Sequence, residues 1–315
     1  MATYYVDMSA GADTNAGTSA GAGNAWKTIA HAMDVVAAGN KVWVKASAEY
    51  TNAAIIVTAG ASNAPITFEG YTTTTGDGGR ATMNASAATR CLGDGLAANT
   101  AIYYVFKNLR FTGGIAGGVT TDCNNLTFKN CKFDTNGVNG ITARLSMYEA
   151  CEFSSNIEKG AQFSTALSIF IACKFYNNGT DGLFSNDAVV CVECTFFSNS
   201  GNGIVVGTHG VIINCTIDGD AKDTTVGLSA TEPASLLAVV NTILYDCATG
   251  FTGVAGRGDR LVSRNNCVNS NTTAYSNAST FTGEVTSAPQ FTNEVGGADY
   301  TPAAGSPLIN AGLNG

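Results

Sequence analysis

A cysteine recurs at nearly constant spacing through the middle of the chain, and this repeat constrains the fold more than any other feature. The series is Cys131, Cys151, Cys173, Cys194 and Cys215, and subtraction of successive numbers gives 20, 22, 21 and 21. Two positions after each cysteine stands an apolar residue: Phe133, Phe153, Phe175, Phe196 or Ile217. Five positions after it stands Asn136, Asn156, Asn178, Asn199 or Asp220. A period in the low twenties with glycine and asparagine turns is typical of a solenoid.

The pattern around each cysteine predicts a sharp bend in the chain. Cysteine and the phenylalanine two positions later face the same side of a strand, because strand side chains alternate. The residue three before each cysteine is also suited to a core, so both can point inward only if the chain turns between them. Asn130, Asn214 and Asn241 stand at the intervening position and tolerate left-handed backbone geometry. We therefore predict stacked, buried cysteines that remain free thiols, which favours a reducing compartment.

These patterns predict an all-β, single-domain parallel β-helix with three strands per rung and rungs of about 20–24 residues. Within a single domain of residues 1–315, we assign 1–40 to an N-terminal lead-in and cap helix, 41–270 to the rungs, and 271–315 to an irregular closing segment. Apolar residues at helical spacing predict the cap helix, with Asn24 as its N-cap and Gly39 just past its end.

Charge and hydropathy exclude two classes of partner. The net charge of −8 and the absence of a basic run argue against nucleic acid, which requires clustered Lys and Arg. No apolar run reaches the 18 residues of a membrane span. The N-terminus has no basic and apolar signal segment, which fits either assembly in a cytoplasm or a signal that has been removed.

Three segments resemble the right-handed parallel β-helix superfamily of pectate-lyase-like proteins. YYVDMSAGADTNAG leading into AWKTIAHAMDVVAAGNKVWVKASAEY is similar to the N-terminal cap and first strand of that superfamily. APITFEGY resembles its first full rungs, and SPLINAG resembles a common closing phrase. The resemblance implies a right-handed β-helix. It implies no single function, because the fold carries lyases, hydrolases, phage tailspikes and structural proteins.

The resemblance also implies what a lyase site would require: a Lys or Arg base, and a cation or Arg that neutralises a uronate carboxylate. The position after each cysteine points outward and reads Lys132, Glu152, Lys174, Thr195 and Thr216. This column is either part of such a site or a surface charge ladder worth less than about 1 kcal/mol per pair. Asp122, Asp181 and Asp187 are interpreted as turn residues. We predict no catalytic, cofactor-binding or metal-binding residue.

A second column predicts a contact surface. Two residues before each cysteine position, the chain changes from Lys107, Lys129 and Glu149 to four apolar residues: Ile171, Val192, Ile213 and Val240. If these side chains point outward, they form an apolar stripe of the kind that marks a protein contact. The alternative is that they turn inward, or that residues 219–234 fold over them.

Three functions fit these expectations. The first is a non-catalytic β-helix protein of a phage virion, either a capsid decoration or a tail-associated part, assembled in the host cytoplasm as a homo-oligomer, with a trimer as the expected state. Its partner would be a capsid or tail protein. The alternative is a secreted polysaccharide lyase or other carbohydrate-active enzyme acting on acidic glycan. A glycan-binding surface protein without turnover is a third interpretation.

Overall fold

The computed structural model divides the chain into two compact units, residues 1–157 (unit 1) and 158–315 (unit 2). It describes residues 1–308 except 52, 87, 166, 233–235, 254–260, 277–283 and 294–298, and for 221–224, 293 and 299 it describes the backbone only. Each unit is described by itself. The prediction of a single domain over residues 1–315 stays a prediction.

Unit 1 consists of one helix and a series of short strands. The helix is α1 (Ile29–Val35). The strands are β1 (Thr3–Val6), β2 (Lys41–Lys45), β3 (Ala54–Ile56), β4 (Ile66–Tyr71), β5 (Ala81–Asn84), β6 (Arg90–Asp94), β7 (Ala101–Lys107), β8 (Leu109–Thr112), β9 (Gly117–Thr120), β10 (Asn124–Lys129), β11 (Lys132–Asp134), β12 (Asn139–Thr142), β13 (Ser146–Glu149) and β14 (Glu152–Ser154).

Unit 2 continues the same alternation of short strands and tight turns. Its strands are β15 (Ala161–Phe163), β16 (Ser168–Ile171), β17 (Lys174–Tyr176), β18 (Leu183–Ser185), β19 (Val189–Val192), β20 (Thr195–Phe197), β21 (Ile204–Val206), β22 (His209–Ile213), β23 (Thr216–Ala230), β24 (Leu236–Val240), β25 (Ile243–Thr252), β26 (Leu261–Arg264), β27 (Cys267–Asn269), β28 (Thr273–Ser276), β29 (Phe291–Asn293) and β30 (Asp299–Pro302).

Parallel pairing between successive coils makes both units parts of a parallel β-helix, as predicted. One strand of each coil joins sheet A: β1, β2, β4, β7, β10 and β13 in unit 1, and β16, β19, β22, β24 and β26 in unit 2. The other two strands of a coil join sheet B, as β11 and β12 do after β10. The prediction of three strands per rung is therefore confirmed.

A left-handed residue makes the bend between sheet A and sheet B in each coil. The predicted bend residues Asn130, Asn214 and Asn241 have φ of 50°, 54° and 50°. Ala150, Ala172 and Glu193 adopt the same conformation without asparagine. Because the backbone turns at this point, the residues on both sides can face the core, which is how the cysteine and the residue three before it are both buried.

The core of each unit consists of columns of like side chains, one from each coil. In unit 1, Phe133 stacks on Phe111 at 5.1 Å and on Phe153 at 4.9 Å between ring centroids. In unit 2, Phe175 stacks on Phe196 at 4.6 Å. All ten cysteines are buried and none forms a disulfide, so the prediction of free thiols is confirmed.

The predicted asparagine series forms hydrogen-bonded ladders inside the coils. Asn136 donates its Nδ2–H to the Asn156 Oδ1 at 2.9 Å in unit 1, and Asn178 donates to Asn199 at 2.9 Å in unit 2. Gly118 of β9 on the preceding coil has no room for a side chain, because a Cβ there would lie 2.8 Å from the Gly140 carbonyl oxygen and 3.0 Å from the Asn136 amide nitrogen. The series also predicts Asp220, but this residue is exposed and accepts from the Ser198 hydroxyl. The chain departs from the repeat there, since 216–230 form one long strand with register shifts.

The cap helix is present but starts later than predicted. Its N-cap is Thr28, whose hydroxyl accepts from the His31 N–H at 3.1 Å, and not Asn24. Trp26 precedes the helix and is buried by stacking on Tyr4 at 4.5 Å. The contact between Trp26 and Tyr4 therefore fixes the chain before the helix begins, although helical spacing had predicted Trp26 inside the helix.

The closing segment, residues 271–315, is described only in part. It contains the last parallel strand, β28, and the antiparallel pair β29 and β30. The aromatic rings of this pair pack on sheet B of unit 2, with the Tyr300 ring 6.1 Å from that of Phe197. The described part of the segment is therefore less irregular than predicted.

Burial should make the thiols unreactive in the native protein. Burial raises the pKa of Cys91 and of Cys247 to about 12, and raises those of Cys131, Cys191 and Cys215 well above the usual range. We expect a thiol reagent such as dithionitrobenzoate to label none of the ten cysteines in native protein and all ten after denaturation. Fast labelling of one or more native cysteines would contradict this assignment.

Candidate functional site

Charged side chains concentrate on the outer surface of sheet B in unit 1, where consecutive coils carry them side by side. Arg110 of β8, Lys132 of β11 and Glu152 of β14 occupy aligned positions in the sheet. Asp134 lies two residues after Lys132, and Arg80 reaches the same surface from the residue before β5. We call Arg80, Arg110, Lys132, Asp134 and Glu152 the charged cluster.

One carboxylate of the charged cluster is fixed. The Arg110 Nε and Nη2 groups each donate to an Asp134 carboxylate oxygen at 2.8 Å, and the Asp134 side chain is only 7% exposed. The hydrogen bonds to Asp134 raise the pKa of Arg110 above its usual value. A bidentate pair of this kind is directional and strong, so Arg110 and Asp134 form a fixed base for the cluster.

The other carboxylate is loosely held. The Glu152 side chain is 31% exposed and lies 3.3 Å from the Arg80 Nη1 and 3.7 Å from the Lys132 Nζ, measured from its two different oxygens. Lys132 is also 3.7 Å from Asp134. Two cations from different coils therefore meet at one partly exposed carboxylate, which identifies a place where this surface can hold a negatively charged group.

The bend between the sheets positions Arg80. The Arg80 Nη2 donates to the Asn130 Oδ1 at 2.9 Å, and the Asn130 Nδ2 donates to the Asn108 Oδ1 at 2.7 Å. Both asparagines are in the left-handed conformation that makes the bend. The same turn that folds the coil therefore also presents an amide oxygen that directs the Arg80 guanidinium toward Glu152.

The sequence predicted part of this cluster and missed the rest. Lys132 and Glu152 were in the predicted outward column, but Arg110 was not, although it stands 22 residues before Lys132 in the same column. Extending the column by one coil would have found it. Asp134 was not singled out because it directly follows the core residue Phe133 and is not in the outward column. Arg80 was not singled out because it lies before the regular repeat begins.

The predicted contact residues lie on the outer surface of sheet A in unit 2. Ile171, Val192 and Ile213 pair in register and are half-buried, and Val240 continues their column. A second apolar column runs beside it. The apolar face consists of both columns: Ile169, Ile171, Val190, Val192, Val211, Ile213, Ala238 and Val240. Residues 219–230, part of the segment that the alternative interpretation places over these columns, lie in sheet B.

A groove of about 280 Å³ borders the apolar face. Leu167 and Leu236 form part of its wall and are 37% and 50% exposed. Its lining is almost wholly apolar, with His209 as the titratable residue on it. His209 begins strand β22.

Two of the three aspartates that the sequence assigned to turns accept hydrogen bonds from neighbouring residues. Asp181 accepts from the backbone and side-chain N–H groups of Asn202, each at 2.9 Å. Asp187 accepts from the Thr208 hydroxyl at 3.1 Å. Asp122 is exposed and lies in unit 1. These residues do not converge on one site, in agreement with the interpretation as turn residues.

Asp218 is a half-buried carboxyl in unit 2 that the sequence did not single out. Burial raises its pKa, and it accepts from the Tyr300 hydroxyl at 2.7 Å and from the Asp220 N–H at 2.8 Å. The Tyr300 ring packs against Phe291 and Phe197. These contacts place Asp218 under the β29–β30 pair, which it anchors to sheet B.

The described part of the chain holds no group of three or more His, Cys, Asp or Glu side chains suited to a metal ion. Its helix is also too short to cross a membrane.

Comparison with known proteins gives one family and several similar structures. The family described as "Right handed beta helix region" matches residues 49–222. Pectate lyase Pel9A shares 19% identity over 93% of this chain and 83% of its own, with a TM-score of 0.65. A rhamnogalacturonan lyase shares 16% identity over 85% of this chain and 72% of its own, with a TM-score of 0.51. XylC in complex with xylose shares 9% identity over 87% of this chain and 69% of its own, with a TM-score of 0.53. At these identities the structures support the fold alone. No curated protein sequence matches this chain.

Removal of the Asp134 charge should destabilise unit 1. In Asp134→Asn the bidentate pair with Arg110 is lost at a nearly buried position, so we expect the free energy of unfolding to fall by about 1–3 kcal/mol. Urea denaturation measures this change. Glu149→Gln is the matched control, because it removes a carboxylate from the exposed pair with Lys129 and should cost less than about 1 kcal/mol. Equal effects of the two changes would contradict a fixed role for Asp134.

Proposed function

This chain belongs to the right-handed β-helix family, and on that basis we propose that it acts on acidic polysaccharide at the charged cluster of unit 1, as a lyase. The similar structures described above favour this function over a virion role, since two of them are lyases and the third holds a sugar. None of the three is described as a virion component.

The observation that carries the proposal is the meeting of Arg80 and Lys132 at a single exposed carboxylate. A uronate carboxylate placed where the Glu152 carboxylate lies would have the Arg80 guanidinium beside one oxygen and the Lys132 amine near the other. Guanidinium groups bind carboxylates with defined geometry and remain charged. Cations aimed at the carboxylate also stabilise the negative charge that develops when the adjacent carbon loses its proton.

The arrangement assigns separate roles to the two cations in a β-elimination. The proton to be removed is on the carbon bonded to the uronate carboxylate, so a group beside that carboxylate is within reach of it. In its neutral form the Lys132 amine can accept this proton, which the guanidinium of Arg80 does not do in proteins. The electron pair of the broken C–H bond forms the new double bond, and the glycosidic C–O bond breaks with its electron pair on the departing oxygen, which takes a proton from water. Arg80 holds the carboxylate throughout.

Loss of Lys132 should impair elimination, and loss of Arg80 should impair binding, without unfolding the protein. In Lys132→Gln we expect elimination on polygalacturonate or alginate to fall at least 100-fold, because general-base catalysis contributes about 10²–10⁴-fold. In Arg80→Ala we expect weaker binding of the same polymers. Ultraviolet absorbance of the unsaturated product measures the first effect, and calorimetry measures the second.

Lys27→Gln is the control for both changes, because Lys27 is an exposed cation near the cap helix and outside the charged cluster. It should leave binding and elimination unchanged. Wild-type protein that neither binds nor cleaves either polymer would contradict the proposed function. Binding without cleavage would retain the glycan site and exclude the lyase reaction.

The apolar face supports a second candidate function, self-association of a structural protein such as a virion component. The face is regular and flat because parallel strands present it, and a second copy can bury an identical face against it with the usual sheet separation of about 10 Å. The contacts predicted at Ile171, Val192, Ile213 and Val240, and the trimer, remain proposals.

Charged residues in the apolar face should prevent any such association. If the wild-type protein is oligomeric by light scattering after size exclusion, we expect the triple change of Ile171, Val192 and Ile213 to Asp to yield monomer, because unpaired charges are costly to bury in an interface. The same measurement on Lys27→Gln controls for general effects of substitution. A monomeric wild-type protein would exclude the apolar face as a self-association surface.

A further inference from the structure

We infer that Glu152 is an internal competitor that occupies the place of the ligand carboxylate and must move before an acidic glycan binds. This inference rests on the proposed function, and it assigns Glu152 a role in setting the affinity of the site. The role differs from those of a catalytic group or a structural ion pair.

The contacts of Glu152 are those expected of a displaceable group. Its two oxygens lie 3.3 Å from Arg80 and 3.7 Å from Lys132, and nearly a third of its side chain is exposed. Ion pairs of this length at a partly exposed position contribute modestly to stability. Its flexible side chain can therefore rotate into solvent at small cost and leave both cations to an incoming carboxylate.

Asp134, on the neighbouring coil, behaves in the opposite way. It is nearly buried and receives two hydrogen bonds of 2.8 Å from Arg110. Displacing Asp134 would leave a buried charge without its partner, which is far more costly than exposing a surface carboxylate. An incoming anion therefore replaces Glu152 and leaves Asp134 in place, so the cluster keeps its shape while it exchanges one carboxylate for another.

Internal competition also predicts discrimination against small anions. While Glu152 neutralises Arg80 and Lys132, a small anion gains little by replacing it. A polymer with one carboxylate on each sugar gains additional contacts along the surface, which offset the displacement of Glu152. The expected ligand class is therefore a polyuronate, and single carboxylates such as acetate should bind poorly to the wild-type protein.

The test is the affinity of Glu152→Gln for purified oligogalacturonate and oligomannuronate, measured by calorimetry at fixed ionic strength. Glutamine keeps the shape and an acceptor oxygen but removes the competing charge. We expect about fivefold tighter binding than wild type, equivalent to about 1 kcal/mol. Glu149→Gln is the matched control: it removes the same charge on the same coil, three residues away, from the pair with Lys129. It should change the affinity less than twofold.

The outcomes separate the inference from the proposed function. Equal or weaker binding by Glu152→Gln, with clear binding by wild type, would overturn the competitor role and leave the glycan site standing. Equally tighter binding by Glu149→Gln would show that the effect comes from net charge alone, and would also overturn the competitor role. If neither wild type nor Glu152→Gln binds either oligomer, the proposed function fails and the inference fails with it. Urea denaturation of each variant confirms that the compared proteins are folded.

Discussion

In-register stacking of like side chains between coils is the constraint on which the rest of this structure depends. Each inward residue packs on its counterpart one coil away, at the strand spacing of about 4.8 Å. A column can therefore hold phenylalanine on phenylalanine, as at Phe111 and Phe133, or amide on amide, as at Asn136 and Asn156. A change of size within a column, as where Phe196 pairs with Ile217, must be accommodated by the neighbouring side chains. The regular spacing of the sequence is the direct result of this geometry.

Side chains that point outward are free of that constraint, and the two units differ in these side chains. On the outer surface of unit 1, aligned positions carry Arg110, Lys132 and Glu152, whereas the apolar columns of unit 2 carry Ile171, Val192 and Ile213. The charged positions lie on sheet B and the apolar positions on sheet A, and both sheets are built from parallel strands. Chemistry on this fold is therefore decided by side chains that contribute little to holding the coils together, and the charged cluster is built without disturbing the core.

The fold was predictable from the sequence because its causes repeat. Cys131, Asn136 and their counterparts recur at a fixed period, and the bend at Asn130 follows from two inward residues three positions apart. The cap helix was placed less well, because Trp26 satisfies helical spacing while its actual partner, Tyr4, is distant in the sequence. The site was predicted only at Lys132 and Glu152. Arg80 joins them through a hydrogen bond to Asn130 that no periodicity encodes.

The cysteine columns have a consequence for the life of the protein outside a reducing environment. In the folded chain the thiols are buried inside the coils, and none forms a disulfide. Unfolding releases all of them at once into a chain where any two can meet, and an oxidant then joins them in arrangements that the native spacing does not allow. Unfolding would thus be reversible under reducing conditions and irreversible under oxidising conditions. The durability of the protein would then be governed by how seldom its coils open.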